Sequence, residues 1–256
     1  MSKIKEFGAW AGVKALKNPD KYIKMIKSIG LDRIDLMIND GTKSGPFHIY
    51  LPENDLINVL KKFKSSGINV SITTWAKPEK SWIDGMVTVA RIAVAASIEE
   101  IVLDLEEPWV NPLKPKNPME IFAWTAGLIG TLRVNYNGKI AIAPIVYCNK
   151  KVLDHAFGLV DTIIPQCYST LLNVPGSGHD GSLESATMRI FSSYKKELVM
   201  GAAAWNLKGA YGYVNPNDAL EASLKAVVDL GVERIRYWRF EFLSDDFVKI
   251  IKKYKN

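Results

Sequence analysis

The chain has 256 residues, 48% hydrophobic and 23% charged, with a net charge of +6; that balance belongs to an ordinary globular protein able to bury a sizeable core. No apolar run reaches the roughly 18 residues that would suggest a membrane span. Three scattered histidines (His48, His155, His179) and two cysteines (Cys148, Cys167) show no metal-ligand spacing, which argues against the metal-dependent hydrolases and isomerases while leaving room for a metal held by carboxylates; no metal and no cofactor is expected.

In chain order, strand-like and helix-like segments alternate. Phe7–Gly12 reads as a first strand, with Trp10 on the same face as Gly8 and Gly12. Pro19–Ile29 reads as a helix, opened by a proline whose missing N–H costs little there and closed by Gly30. In the second strand, Ile34–Asp40, side chains alternate between faces. Ile34, Leu36 and Ile38 suit a helix layer; Asp35, Met37 and Asn39 look the other way, and Asp40 stands at the rim.

A helix over Glu53–Ser66 leads through Gly67 to a third strand, Val70–Trp75, whose inward face carries Ser71, Thr73 and Trp75. The Glu79–Ala96 helix precedes the fourth strand, Ile101–Glu106, where an apolar run ends in Asp104-Leu105-Glu106-Glu107. Asp104 and Glu106 share a face. Burying two carboxylates against apolar helices would cost several kcal/mol each, about the penalty of a desolvated ion. Both should therefore open onto a polar cavity.

Further helices are expected at Pro118–Asn135, Lys150–Phe157, Leu183–Lys196, Pro216–Leu230 and Ser244–Tyr254. Between them lie strands at Ile140–Tyr147, Thr162–Tyr168, Leu198–Trp205 and Arg234–Phe240, the last ambiguous in parity. Eight strand–helix units in this length describe one (β/α)8 barrel spanning residues 1–256. An open doubly wound sheet would call for a glycine-rich phosphate loop, and "AWAGVKALKNP" after the first strand is not one.

In such a barrel the carboxyl ends of the strands form the site. They gather Trp10, Trp75, Tyr147, Tyr168, Trp205 and Trp238 around Asp104 and Glu106, with Asn39, Asp40 and Gln166 close by. Aromatic faces stack on the C–H faces of sugar rings, and amides bind their hydroxyls. That set reads as a carbohydrate cleft.

The run Ile101-Val102-Leu103-Asp104-Leu105-Glu106, with "PQCYS" (Pro165 to Ser169) and Trp238, resembles the chitinase-like family 18 glycoside hydrolases and, more loosely, the family 25 lysozymes. Both are barrels with Asp-x-Glu at the end of the fourth strand. The chain departs from the four-acid chitinase pattern at Glu99 and Val102, has "ITTW" in place of the third-strand Ser-x-Gly-Gly, and lacks the lysozymes' amino-terminal Asp.

The resemblance implies Glu106 as general acid, Asp104 as the charge that tunes it and orients a substrate N-acetyl group, and Tyr168 as hydrogen-bond donor to that group's carbonyl. Trp238 would floor a sugar subsite. An inverting reaction would instead need a base about 6.5–9.5 Å from Glu106, for which Asp40 and Glu241 are candidates.

The expected substrate is an N-acetylated polysaccharide, most readily peptidoglycan, cleaved by a monomer with no nucleic-acid partner. The basic charge suits an acidic wall. Met1 to Phe7 lacks the apolar stretch of a secretory signal, so the expectation is synthesis in the cytoplasm and release to the wall, as for a phage endolysin. The alternatives are a chitinase acting on chitin oligomers and a non-catalytic carbohydrate-binding barrel.

Overall fold

The computed structural model describes residues 4–39, 41, 45–105, 117–144, 150–168, 183–203 and 216–255. Nine parallel strands form one sheet: β1 (Glu6–Ala11), β2 (Arg33–Met37), β3 (Asn69–Trp75), β4 (Glu100–Leu105), β5 (Lys139–Pro144), β6 (Thr162–Ile163), β7 (Glu197–Leu198), β8 (Met200–Ala203) and β9 (Arg234–Trp238). Their order is β7-β6-β5-β4-β3-β2-β1-β9-β8.

The two ends of that order meet. β7 and β8 flank Val199, whose N–H donates to the Ile163 carbonyl at 3.0 Å; the Gly201 N–H donates to Pro165 at the same distance. Together they make the seventh of eight barrel positions, and the sheet closes on itself as a (β/α)8 barrel.

Helices cover the outside: α1 (Val13–Lys17), α2 (Pro19–Ile29), α3 (Glu53–Ser65), α4 (Lys80–Ala95), α5 (Pro118–Asn135), α6 (Lys150–Leu159), α7 (Leu183–Phe191), α8 (Pro216–Asp229) and α9 (Asp245–Tyr254). The strand faces follow the alternation. Phe7, Ile34, Leu36, Val70, Ile72, Ile101, Leu103, Leu105, Ile140, Ile142 and Tyr237 join the helix-side core. The lumen holds a smaller apolar cluster of Trp10, Val102, Ala141, Ala143, Ile164 and Val199, with Trp238 packed on it.

Below that cluster the barrel is sealed by charge. Arg236, fully buried, reaches Glu6, Asp35 and Glu100; Arg33 pairs with Glu6 at 3.1 Å and Glu100 at 3.6 Å, and Arg234 pairs with Glu6 at 2.9 Å. Ser71 donates to Glu100 at 2.9 Å and accepts from Arg33 at 2.8 Å. Arg236 Nε approaches Asp35 to 2.8 Å as an ion pair, outside strict hydrogen-bond geometry.

The eighth strand's parity is thereby settled: Arg234, Arg236 and Trp238 face inward. Gly8 makes room for this arrangement, because a Cβ there would lie 2.7 Å from Arg236 Cδ. Burial would raise Glu6, but Arg236, Arg33 and Arg234 outweigh it and hold the carboxyl down to about 2. Asp35, deeper and less well matched, is pushed up by burial despite Arg236.

Candidate functional site

At the carboxyl end of the barrel a cavity of about 360 Å³ is lined by Gly12, Val13, Lys14, Met37, Asn39, Tyr50, Trp75, Asp104, Trp238, Arg239 and Glu241, within the size range of small-molecule sites. Register accounts for its floor. Trp75 pairs with Asp104, and Asp104 with Ala143, so the tryptophan and the carboxylate stand at one level near the carboxyl ends of their strands, beside a small residue.

Asp104 is 5% exposed, and its Oδ1 accepts a 2.8 Å hydrogen bond from Gln166 Nε2, which also donates to the Ala143 carbonyl at 3.2 Å. Gln166 is itself fixed by its backbone, which bridges to Gly201 in the closing ladder. A buried carboxylate held by a charge-assisted hydrogen bond keeps its orientation.

Asn39 is fully buried and latches β2 to β3. Its Nδ2 donates to Thr74 Oγ1 at 2.9 Å and to the Trp75 carbonyl at 3.0 Å, and its Oδ1 accepts from the Trp75 N–H at 2.9 Å. Expected as a sugar ligand, it lines the cavity with its amide already engaged, and it fixes the backbone that carries Trp75.

Tyr50 is positioned from outside the barrel. Its N–H donates to Ile38 at 2.8 Å. Phe47, three residues earlier, stands edge-on to Trp82 of α4 at 5.3 Å and lies over Gly85, where a Cβ would come within 2.3 Å of its ring.

On the opposite wall, Trp238 tilts 59° to Trp10 with ring centroids 6.1 Å apart, and the Trp238–Arg239 peptide is cis. Trp10, expected at the mouth as a sugar contact, is 2% exposed within the lumen cluster, packed against Trp238 and not on the described wall. Glu241 accepts from Arg239 Nε at 2.9 Å and from the Tyr22 hydroxyl at 3.2 Å. Burial, then the Glu241 charge, pushes the Tyr22 hydroxyl up to about 12. Glu241 thus reaches the cavity as the anchored half of an ion pair.

Tyr168 is half-buried two residues beyond Gln166 and is not among the described lining residues. Glu106, Asp40, Tyr147 and Trp205 lie outside the described residues, as does Glu107. Of the expected set, the structure brings together Asp104, Gln166, Asn39, Trp75 and Trp238.

Met37 lines the wall as its expected inward parity implies, whereas Tyr50, Lys14 and Arg239 were not anticipated there. Tyr50 and Lys14 arrive on connections without periodicity. Among the described residues no group of three His, Cys, Asp or Glu could hold a metal ion, and no helix is long and apolar enough to cross a membrane.

No protein-family model matches the sequence, and no curated protein matches it. Solved structures do. A GH113 β-1,4-mannanase superposes with a TM-score of 0.69 over 99% of both chains at 14% identity. A GH18 chitinase from Pseudoalteromonas aurantia gives 0.61 over 97% of this chain and 99% of that one at 15% identity.

The Bacillus cereus spore cortex-lytic enzyme SleL gives 0.60 over 100% of this chain and 76% of that one, at 11% identity. A xylanase-A-amylase inhibitor protein gives 0.61 over 97% of each chain, at 12% identity. At these identities the likeness establishes the fold, a barrel shared with glycoside hydrolases, and leaves the chemistry to the site.

Proposed function

We propose that the protein is a glycosidase that cleaves an N-acetylated glycan, with peptidoglycan as the favoured substrate. One observation carries the reading: Asp104, near the carboxyl end of β4, lines the cavity, oriented by Gln166, with Trp75 and Trp238 in the same lining. The observed parity of β4, in which Glu100, Val102 and Asp104 face inward and Ile101, Leu103 and Leu105 outward, supports assigning the next inward position to Glu106.

In this reading Glu106 donates a proton to the glycosidic oxygen. Asp104 raises the affinity of Glu106 for that proton and orients the substrate's N-acetyl group for attack on the anomeric carbon; Tyr168 donates a hydrogen bond to the acetyl carbonyl. The sugar ring stacks on Trp238. The likeness to a mannanase, a chitinase and a cortex-lytic enzyme supports a hydrolase, and the net charge of +6 supports an acidic wall as target.

The test is turnover of solubilised peptidoglycan and of chitin oligomers by the parent protein and by Glu106→Gln, with products identified by mass. Cleavage lost in Glu106→Gln with binding retained supports the assignment. A second reading, a carbohydrate-binding barrel without catalysis, is favoured by the likeness to an inhibitor protein and would show as binding with no turnover by the parent.

A further inference from the structure

The charged groups of the cavity are unevenly distributed. Asp104 stands on β4, and the cavity crosses the mouth from there past β3 and β2 to the β1 side, where Lys14 lines it on α1. The placement of Lys14 follows from its helix: Gly12 caps the start of α1, its carbonyl accepting from the Ala15 N–H at 2.9 Å, and Ala15 and Leu16 are buried in the helix-side core. With that face inside, Lys14 is left exposed at the cavity rim.

The other rim cation, Arg239, is matched by Glu241 at 2.9 Å. Lys14 has no ion pair among the described residues; its backbone carbonyl closes the helix by accepting from the Asn18 N–H at 3.1 Å. A cavity with a carboxylate at one end and, at the other, an ammonium that no described residue pairs fits a substrate whose reacting bond lies at the acidic end and whose own negative charge lies at the basic end.

We infer that Lys14 determines specificity for a carboxylated glycan by pairing with a carboxylate on the sugar chain. This deepens the glycosidase reading and rests on it. A carboxylate of this kind occurs as a lactyl ether on wall glycan and as a uronic acid in polysaccharides alternating with N-acetylhexosamine. Lys14 acts on recognition and takes no part in bond cleavage.

The test compares the parent, Lys14→Met and Lys14→Glu on both carboxylated glycans and on the carboxyl-reduced form of each, measuring kcat and KM separately at low and high salt. The parent is expected to prefer at least one carboxylated glycan over its reduced form. Lys14→Met should lower that preference roughly fivefold, the scale of one partly exposed ion pair, through KM and not kcat, and Lys14→Glu should lower it further. The preference should shrink with added salt, because an exposed pair is screened. The glycan on which the ratio moves identifies the source of the carboxylate.

A ratio unmoved in both variants, or equal losses on carboxylated and reduced substrates, overturns the assignment to Lys14 while leaving the glycosidase intact. Absence of turnover by the parent on all four substrates overturns the glycosidase reading and this inference with it.

Discussion

Replacing Glu6 by Gln should remove much of the acid sensitivity of the fold. Glu6 is 14% exposed and touches three arginines at the sealed end of the lumen, which hold its carboxyl down from 4.5 to about 2. A carboxylate with a depressed pKa contributes stability that is fully present above its unfolded value near 4.5 and is lost as pH falls through about 2. At about 1.4 kcal/mol per pH unit the contribution is roughly 3 kcal/mol.

Asp35 runs the other way. Its raised pKa means that protonation relieves a buried charge as pH falls, so the observed slope is Glu6 reduced by Asp35. Urea unfolding of parent and Glu6→Gln at pH 7, 5, 4, 3 and 2.5 reads both terms. The variant should be less stable by about 3 kcal/mol at pH 7, with the two proteins converging below pH 3. Equal stability at pH 7, or parallel acid slopes, would show that the arginines do not hold Glu6 as described.

Arg236→Met should destabilise by about 3–5 kcal/mol, since it strips the partner from Glu6, Asp35 and Glu100 at once; a chemical melt measures it. Gly85→Ala should cost about 1–3 kcal/mol by pressing a Cβ into the Phe47 ring and should raise KM by displacing Tyr50 from the cavity. Gln166→Leu should lower kcat with a smaller effect on melting temperature, because it removes the hydrogen bond, worth about 1.5–3 kcal/mol, by which Gln166 orients the Asp104 carboxylate. Trp238→Ala should raise KM on oligosaccharides about tenfold, which calorimetry on the Glu106→Gln background can confirm as lost binding.

The order of the barrel was legible because parallel strands buried on the helix side repeat Ile, Leu and Val at every second position, and because prolines and glycines punctuate the helices. The same alternation placed Asp104 and Trp75 in the lumen. What it could not show was depth. Trp10 and Trp238 have the same parity and follow one another in the β1–β9 register, yet Trp10 is packed into the lumen cluster and Trp238 lines the cavity. The charged seal was hidden for a related reason: Glu6, Arg33, Glu100 and Arg236 look like surface residues one strand at a time, and only closure of the sheet brings them together. The Gly8 that admits Arg236 was visible as a small residue but had no partner to be small for. Helix α1 escaped notice because five residues carry too little periodicity, and with it went Lys14. Glu106, Asp40, Tyr147 and Trp205 lie beyond the described residues, so their roles rest on the sequence.

The central claim, that β4 presents Asp104 and Glu106 to a glycan while Glu107 turns away, is tested most directly by turnover of solubilised peptidoglycan by Glu106→Gln, Glu107→Gln and Asp104→Asn, with thermal melts as folding controls. Glu106→Gln should lose about 10²–10⁴-fold in kcat, the usual contribution of a general acid; Asp104→Asn should fall between it and the parent, and Glu107→Gln should stay near the parent. A dead Glu107→Gln beside an active Glu106→Gln would contradict the strand's register, and three variants as active as the parent would contradict the assignment of these carboxylates to catalysis.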